Sequence, residues 1–236
     1  MIEFAAGPVL IVGATGGTGR CLIRATQDAG LAIRCLTSVP AKRADLQAMG
    51  VDDIVVGDLC ADGIVDRAVS GVGAVLSAVG GAEVFRHGVT RLIAAARTVG
   101  VRPFVLETAL GVGTARAAIP PERYAILRPA LEAMDVAEVV LRASGLVYTI
   151  VRPGRLLDEP PSGDVLVGEG GTRLGGGSIP RADVARLMVA ALVTPEAHNR
   201  TFEIVSRAGF RGGLGETVDV PWRLPVSSGQ SDVALS

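Results

Sequence analysis

The chain has 236 residues, of which 49% are hydrophobic and 20% charged, and it carries 31 glycines. Twenty-three basic residues against 24 acidic ones leave a net charge of −1, which excludes the basic face that nucleic-acid binding requires. The apolar content excludes bulk disorder, and no uncharged apolar stretch reaches the roughly 18 residues of a membrane span.

The length suits one α/β domain over 1–236. The N-terminus leads into a short strand and not a signal peptide, so the expected location is cytoplasmic. Cys21, Cys35 and Cys60 are widely spaced with no CxxC pair, and His87 and His198 are isolated. Buried thiols are expected, with no disulfide and no zinc site.

In chain order, Val9 to Val12 is a short apolar strand that runs straight into the cluster Gly13-Ala14-Thr15-Gly16-Gly17-Thr18-Gly19. Arg20 to Ala29 has helical periodicity and stops at Gly30. Ala32 to Thr37 is a second strand, Ala41 to Met49 a helix closed by Gly50, and Ile54 to Val56 a third strand ending at Gly57-Asp58. Ile64 to Val69 is a helix and Ala74 to Ala78 a fourth strand. Val84 to Val99 is a longer helix, with Gly100 expected as its C-cap. Phe104 to Leu106 is a fifth strand.

Short apolar strands alternating with helices predict a doubly wound parallel sheet, the three-layer α/β/α Rossmann fold. The second half repeats the theme more loosely. A helix is expected over Pro129 to Arg142, a sixth strand over Tyr148 to Val151, a helix over Arg181 to Leu192, and a last strand over Phe202 to Val205. The glycine-rich stretch Gly163 to Gly177 predicts a hairpin or mobile flap beside the ligand crevice. Residues 155–236 form a small irregular substrate-side region, with a poorly ordered tail over 228–236.

Gly13, Gly16 and Gly19 form a GxxGxxG pattern placed after a strand and before a helix, the context in which such a pattern marks a dinucleotide turn. Glycines there bring backbone N–H groups at the helix start within reach of a pyrophosphate. Gly17 belongs to the same run, and Thr15 or Thr18 could add a hydroxyl. An acidic residue after the second strand would favour NAD(H), but the strand runs into Ser38-Val39-Pro40 without one. NADP(H) is therefore expected over NAD(H), its 2′-phosphate met by Arg20 first, then Ser38, Lys42 or Arg43. Asp58 and Leu59 are placed beside the adenine.

Strand-end topology sets Ala78, Val79 and Gly80 along the cofactor's path. It sets Thr108, Pro153 and Gly154 around the nicotinamide. Arg152 or Arg155 could reach a substrate or sit in a structural ion pair. Asp183, near a helix start, is expected to cap or to pair.

The turn GATGGTGR, the step Gly57-Asp58-Leu59, the run from Leu146 to Gly154 (LVYTIVRPG) and Ile179-Pro180-Arg181-Ala182-Asp183-Val184-Ala185 resemble the atypical short-chain dehydrogenase/reductases. More narrowly, they are similar to the single-domain NAD(P)-binding group of flavin/biliverdin reductases and NmrA-like proteins. The resemblance spans Pro8 to about Val205. It implies a hydroxyl residue after the fifth strand, where Thr108 stands, and a Tyr-x-x-x-Lys pair on the next helix. Counting back from Glu138 and the run Leu141 to Leu146 places that pair at Ala130 and Met134, neither of which can donate a proton. The remaining catalytic candidates are Thr108 and Tyr124; the latter stands six residues before Ala130 in an apparent loop and could swing into the pocket, pack or touch the substrate.

The expected activity is an NADPH-dependent reductase that passes hydride to a conjugated small molecule, such as a flavin or quinone, without the Tyr–Lys pair. The alternatives are a non-catalytic NADP(H)-binding regulator and a sugar or alcohol epimerase, dehydratase or ketoreductase. The expected partners are a small-molecule substrate and at most a second copy of the chain, giving a monomer or weak homodimer.

Overall fold

Val9–Val12 (β1) is four apolar residues in succession, all buried, so both faces of the strand must be covered. The computed structural model, which describes residues 7–171, 174, 176–211, 216–225 and 233–234, supplies that cover as two helical layers. After β1 come α1 (Gly17–Asp28), β2 (Ile33–Thr37), α2 (Arg43–Ala48), β3 (Asp53–Val56), α3 (Ile64–Val69) and β4 (Ala74–Ser77). A π-helical stretch, Val84–Val89, leads into α4 (Thr90–Val99), followed by β5 (Phe104–Glu107), α5 (Pro121–Ala143) and β6 (Tyr148–Pro153). The remaining elements are β7 (Arg155–Leu157), β8 (Val165–Glu169), β9 (Ser178–Pro180), α6 (Arg181–Ala191), β10 (Arg200–Ser206), β11 (Arg223–Leu224) and β12 (Val233–Ala234).

The main sheet runs β3-β2-β1-β4-β5-β6-β10-β8. All neighbours are parallel except β8, which lies antiparallel to β10 with Phe202 opposite Glu169. This is the doubly wound order expected of a Rossmann fold, widened by two strands. One face packs on α1 and α6 through Leu22, Ile23, Val184 and Met188. The other packs on α3, α4 and α5 through Val65, Leu92, Ile93, Ala137 and Leu141. Among the described residues no helix is long and apolar enough to cross a membrane.

Three expectations need correction. Gly163 to Gly177 is not a flap where it is described: Val165–Glu169 is an edge strand of the main sheet, because Leu166 and Val167 gain burial there. Helix α5 begins at Pro121, not Pro129. Proline suits a first helical position because its missing N–H is not needed there, and the chain offers two such prolines. Pro129 instead sits inside α5, and the carbonyl it deprives belongs to exposed Ala125, within reach of water. Tyr124 is consequently helical and not in a loop. The expectation for the tail lies outside the described residues, save Val233 and Ala234, whose backbone pairs with Arg223–Leu224.

On the α5 face, a charge-balanced group locks α5 and β10 to β6. Arg152 on β6 is 2% exposed. Its Nε donates to Glu138 Oε1 at 3.0 Å, its Nη2 to Glu138 Oε2 at 2.7 Å and its Nη1 to Glu203 Oε1 at 3.1 Å. Arg142 adds a second cation on Glu138 Oε2 at 2.9 Å, and Thr108 Oγ1 donates to Glu138 Oε1 at 2.8 Å.

Arg152 therefore belongs to a structural ion pair. Removing one partner strands the others in a low-dielectric interior. Glu138→Ala should lower unfolding free energy by about 3–5 kcal/mol in urea titrations. Asp164→Ala, which breaks the exposed Arg207–Asp164 pair, should cost less than about 1 kcal/mol.

Candidate dinucleotide site

The turn between β1 and α1 is shaped by what its glycines leave out. Gly13 has φ +82°, and a Cβ there would lie 2.3 Å from the Ala78 carbonyl oxygen at the end of β4. A Cβ on Gly19 would lie 2.1 Å from the Gly13 oxygen. Bare backbone at both points draws α1 down onto the sheet and leaves Gly16 and Gly17 exposed at its N-terminus. The N–H groups of Gly17, Thr18 and Gly19 precede the first helical bond, from Arg20 N to the Gly16 oxygen, and at Gly16 and Gly17 the chain comes to the surface without side chains. These residues fit a dinucleotide pyrophosphate.

The two threonines of the turn part company. Thr15 is half-buried at the surface, whereas Thr18 is 5% exposed and points inward. Its Oγ1 donates to Glu107 Oε1 at 3.2 Å, so Thr18 is engaged beneath the turn.

Ser38 is exposed just past β2. Arg20 Nη2 reaches Asp45 Oδ2 at 3.3 Å and Lys42 Nζ reaches the same oxygen at 3.1 Å. Lys42 foremost, then Arg20, hold the Asp45 carboxyl below its ordinary range. Two cations thus gather at this corner around one carboxylate.

Asp58 is exposed after β3 and accepts the Cys60 N–H at 2.8 Å. It borders a cleft of about 530 Å³ shared with Glu83, His87 and Arg91. Leu59 is turned inward against Gly88. Ala78 and Val79 are half-buried and Gly80 is exposed at the end of β4. Pro153 is buried at the end of β6, and Gly154 packs against the Gly177 backbone.

Thr108 is buried with its hydroxyl given to Glu138. Tyr124 stands on the first turn of α5 with the Arg116 guanidinium 4.3 Å from its ring centre, and no hydrogen bond joins it to Thr108. Asp183 accepts from Ser162 N, Ser162 Oγ and Gly163 N at 2.8, 2.7 and 3.1 Å. It pins a loop and does not cap its own helix, whose N-terminus has no side-chain cap, so the expected capping role is not what this carboxylate does. Arg155 is exposed.

Sequence reasoning passed over Glu107. It ends β5 on the α1 side, wholly buried, and burial pushes its carboxyl up to about 7, against the pull of Thr18 and Arg181. The signal was present: a lone acid closing the apolar run Phe-Val-Leu-Glu.

The chain matches the NAD(P)H-binding family model over residues 13–195 and belongs to that family. Its Rossmann fold and sequence are consistent with the atypical short-chain dehydrogenase/reductases. It is 29% identical over 206 residues to the uncharacterized sugar epimerase YhfK of Bacillus subtilis, covering 83% of this chain and 92% of that one. It is 29% identical over 210 residues to the NAD(P)H azoreductase of Xenophilus azovorans, covering 86% and 70%. Among solved structures, the anaerobillin reductase ChuY of Escherichia coli O157:H7 superposes with a TM-score of 0.78 at 24% identity, covering 87% of this chain and all of that one.

Glu107 makes stability depend on pH. A carboxyl whose folded pKa of about 7 exceeds its ordinary 4.5 binds its proton more tightly in the folded state. Its contribution is complete below 4.5 and is lost as pH rises through 7. Glu107→Gln cannot ionise. Between pH 4.5 and 8 the native protein should lose about 3 kcal/mol relative to this variant. Paired urea titrations would measure this, and a pH-independent difference would show that Glu107 does not titrate as described.

Proposed function

We propose that this protein is an NADPH-dependent reductase that delivers hydride to a conjugated small-molecule acceptor, such as a flavin, quinone or related ring system. The observation that carries this reading is a dinucleotide turn beside strand ends where the buried acid, Glu107, is held beneath the turn by Thr18 and the sequence lacks the Tyr–Lys pair. Thr108 gives its hydroxyl hydrogen to buried Glu138, and the helix positions where the family resemblance places a Tyr–Lys pair hold Ala130 and Met134. A conjugated acceptor tolerates this lack, since it spreads the incoming charge and water can complete the protonation. Relatives named for azo and anaerobillin reduction agree with such an acceptor.

When bound, the dinucleotide supplies the hydride. The chain's own share is binding and orientation. Gly13, Gly16, Gly17 and Gly19 seat the pyrophosphate, with Thr15 at its edge. Ala78, Val79 and Gly80 line the path across the strand ends, and Asp58 and Leu59 bound the adenine side. Pro153, Gly154 and Thr108 form the floor beneath the reacting ring. Tyr124, with Arg116 against its ring, and the region after Gly154 form the acceptor side.

NADP(H) is preferred to NAD(H) because Arg20 and Lys42 converge on Asp45 and no carboxylate directly follows β2. Asp45 holds both cations until a 2′-phosphate takes its place.

Calorimetry should show NADPH binding more tightly than NADH. Arg20→Ala should weaken NADPH by about 1–2 kcal/mol, the scale of a charge-assisted hydrogen bond, while sparing NADH. Equal native affinities would remove the case for a 2′-phosphate corner.

NADPH absorbance followed against a panel of flavins, quinones and azo dyes should reveal an acceptor, and no turnover would favour a non-catalytic binding protein. On that acceptor Tyr124→Phe should lose less than about tenfold in rate. A positioned general acid is worth roughly 10²–10⁴-fold, so a loss of that size would make Tyr124 the missing acid.

A further inference from the structure

Of the glycines in the turn, Gly17 is the one that the GxxGxxG spacing leaves unexplained. A Cβ on Gly17 would lie 2.6 Å from Nε, 2.7 Å from Cδ and 3.2 Å from Cζ of Arg181. The arginine side chain therefore lies directly on the Gly17 Cα, at the first residue of α1, and any larger residue would displace it. Arg181 comes from the other half of the chain. It is the first residue of α6, which packs against α1, and it follows Pro180, held by the β7–β9 pairing.

Its present partner is Asp158, with Nη1 2.7 Å from Oδ1. The Asp158 side chain is 85% exposed and that of Arg181 23%, a pair at the solvent edge that contributes little and exchanges readily. The positive charge of Arg181 also helps to hold down the carboxyl of Glu107 and the thiol of Cys21, both of which burial raises. It is thus positioned just beside the turn.

A pyrophosphate at the N-terminus of α1 would meet the exposed N–H groups and about half a unit of positive charge from the helix dipole. That does not match two phosphate charges. Arg20 does not make up the difference, because it is directed to Asp45 at the 2′-phosphate corner.

We infer that Arg181 is the counter-charge of the dinucleotide pyrophosphate, leaving Asp158 for the phosphates when cofactor binds. The inference rests on the dinucleotide reading of the site and adds to it a residue contributed from outside the turn. A planar guanidinium suits phosphate oxygens better than a carboxylate at the solvent edge. Gly17 is glycine to give that guanidinium its place, and Asp158 stores it in the free protein.

The test is calorimetry of NADPH and NADH binding to the native protein and to Arg181→Met, Asp158→Asn and Arg20→Ala, with folding checked by circular dichroism. Both dinucleotides carry the pyrophosphate, so Arg181→Met should weaken both by about tenfold or more, whereas Arg20→Ala should weaken NADPH alone. Asp158→Asn removes the competitor and should tighten both severalfold.

Native affinity in Arg181→Met would overturn the inference while leaving the cofactor reading intact. So would a loss confined to NADPH, which would assign Arg181 to the 2′-phosphate. If Arg181→Met does not fold, Asp158→Asn decides alone, because it alters one exposed carboxylate. Unchanged or weakened binding in that variant refutes the exchange. A native protein that binds neither dinucleotide would overturn the cofactor reading itself, and this inference with it.

Discussion

The site geometry depends on one close approach: the bare Cα of Gly13 against the Ala78 carbonyl, where β1 ends beside β4. The chain must reverse from the strand into α1 within a few residues, and Gly13 does so at φ +82°. Gly19 then lets the first turn of the helix settle onto the Gly13 and Ala14 backbone. A side chain at either position would lift α1 off the sheet and carry the exposed N–H groups away from the strand-end crevice. The seating of α1 on the sheet and the exposure of its N-terminus thus depend on the same missing Cβ atoms.

Acidic residues near the strand ends extend this construction into the interior. Glu107 lies under the turn, bonded by Thr18, and Glu138 and Glu203 lie on the opposite face of the sheet around Arg152. The two groups are handled differently. Glu138 is paired with Arg152 and Arg142 and Glu203 with Arg152, though burial still raises the Glu203 carboxyl. Glu107 has one hydroxyl and a more distant guanidinium, and burial raises its carboxyl accordingly. The first group acts as a fixed strut, while the second is a point at which proton uptake and the order of the turn are linked.

The first half of the fold was legible because each of its strands is a short, mostly apolar run punctuated by glycine. Ile64–Val69 was bounded to the residue, and Gly100 adopts the left-handed C-cap expected of it. The second half was less so. Pro129 looked like a helix start, since proline is favoured there, and nothing local says that Pro121 holds that place and Ala125 can spare a hydrogen bond. Strand β8 is hidden among glycines because its burial comes from pairing with β10, residues distant in sequence. The glycine turn could be read from spacing, whereas the convergence of Arg20 and Lys42 on Asp45 could not. The engagement of Thr18 with Glu107, of Thr108 with Glu138 and of Gly17 with Arg181 could not, since each joins separate elements.

On the proposed reading without a Tyr–Lys pair, the reactions open to this family are not equally disfavoured. Reduction of an isolated ketone builds charge on one oxygen, and a threonine whose hydrogen is already given to Glu138 cannot neutralise it. Epimerisation at a sugar carbon needs a group that both removes and returns a proton, which is more demanding still. In a conjugated ring system the charge is shared over many atoms, and the barrier depends chiefly on bringing donor and acceptor together in the correct orientation. Orientation is what rigid strand ends, a contact-limited helix N-terminus and a buried ionic strut provide. The physical character of the site therefore favours an acceptor that needs placement over one that needs a proton at the moment of transfer.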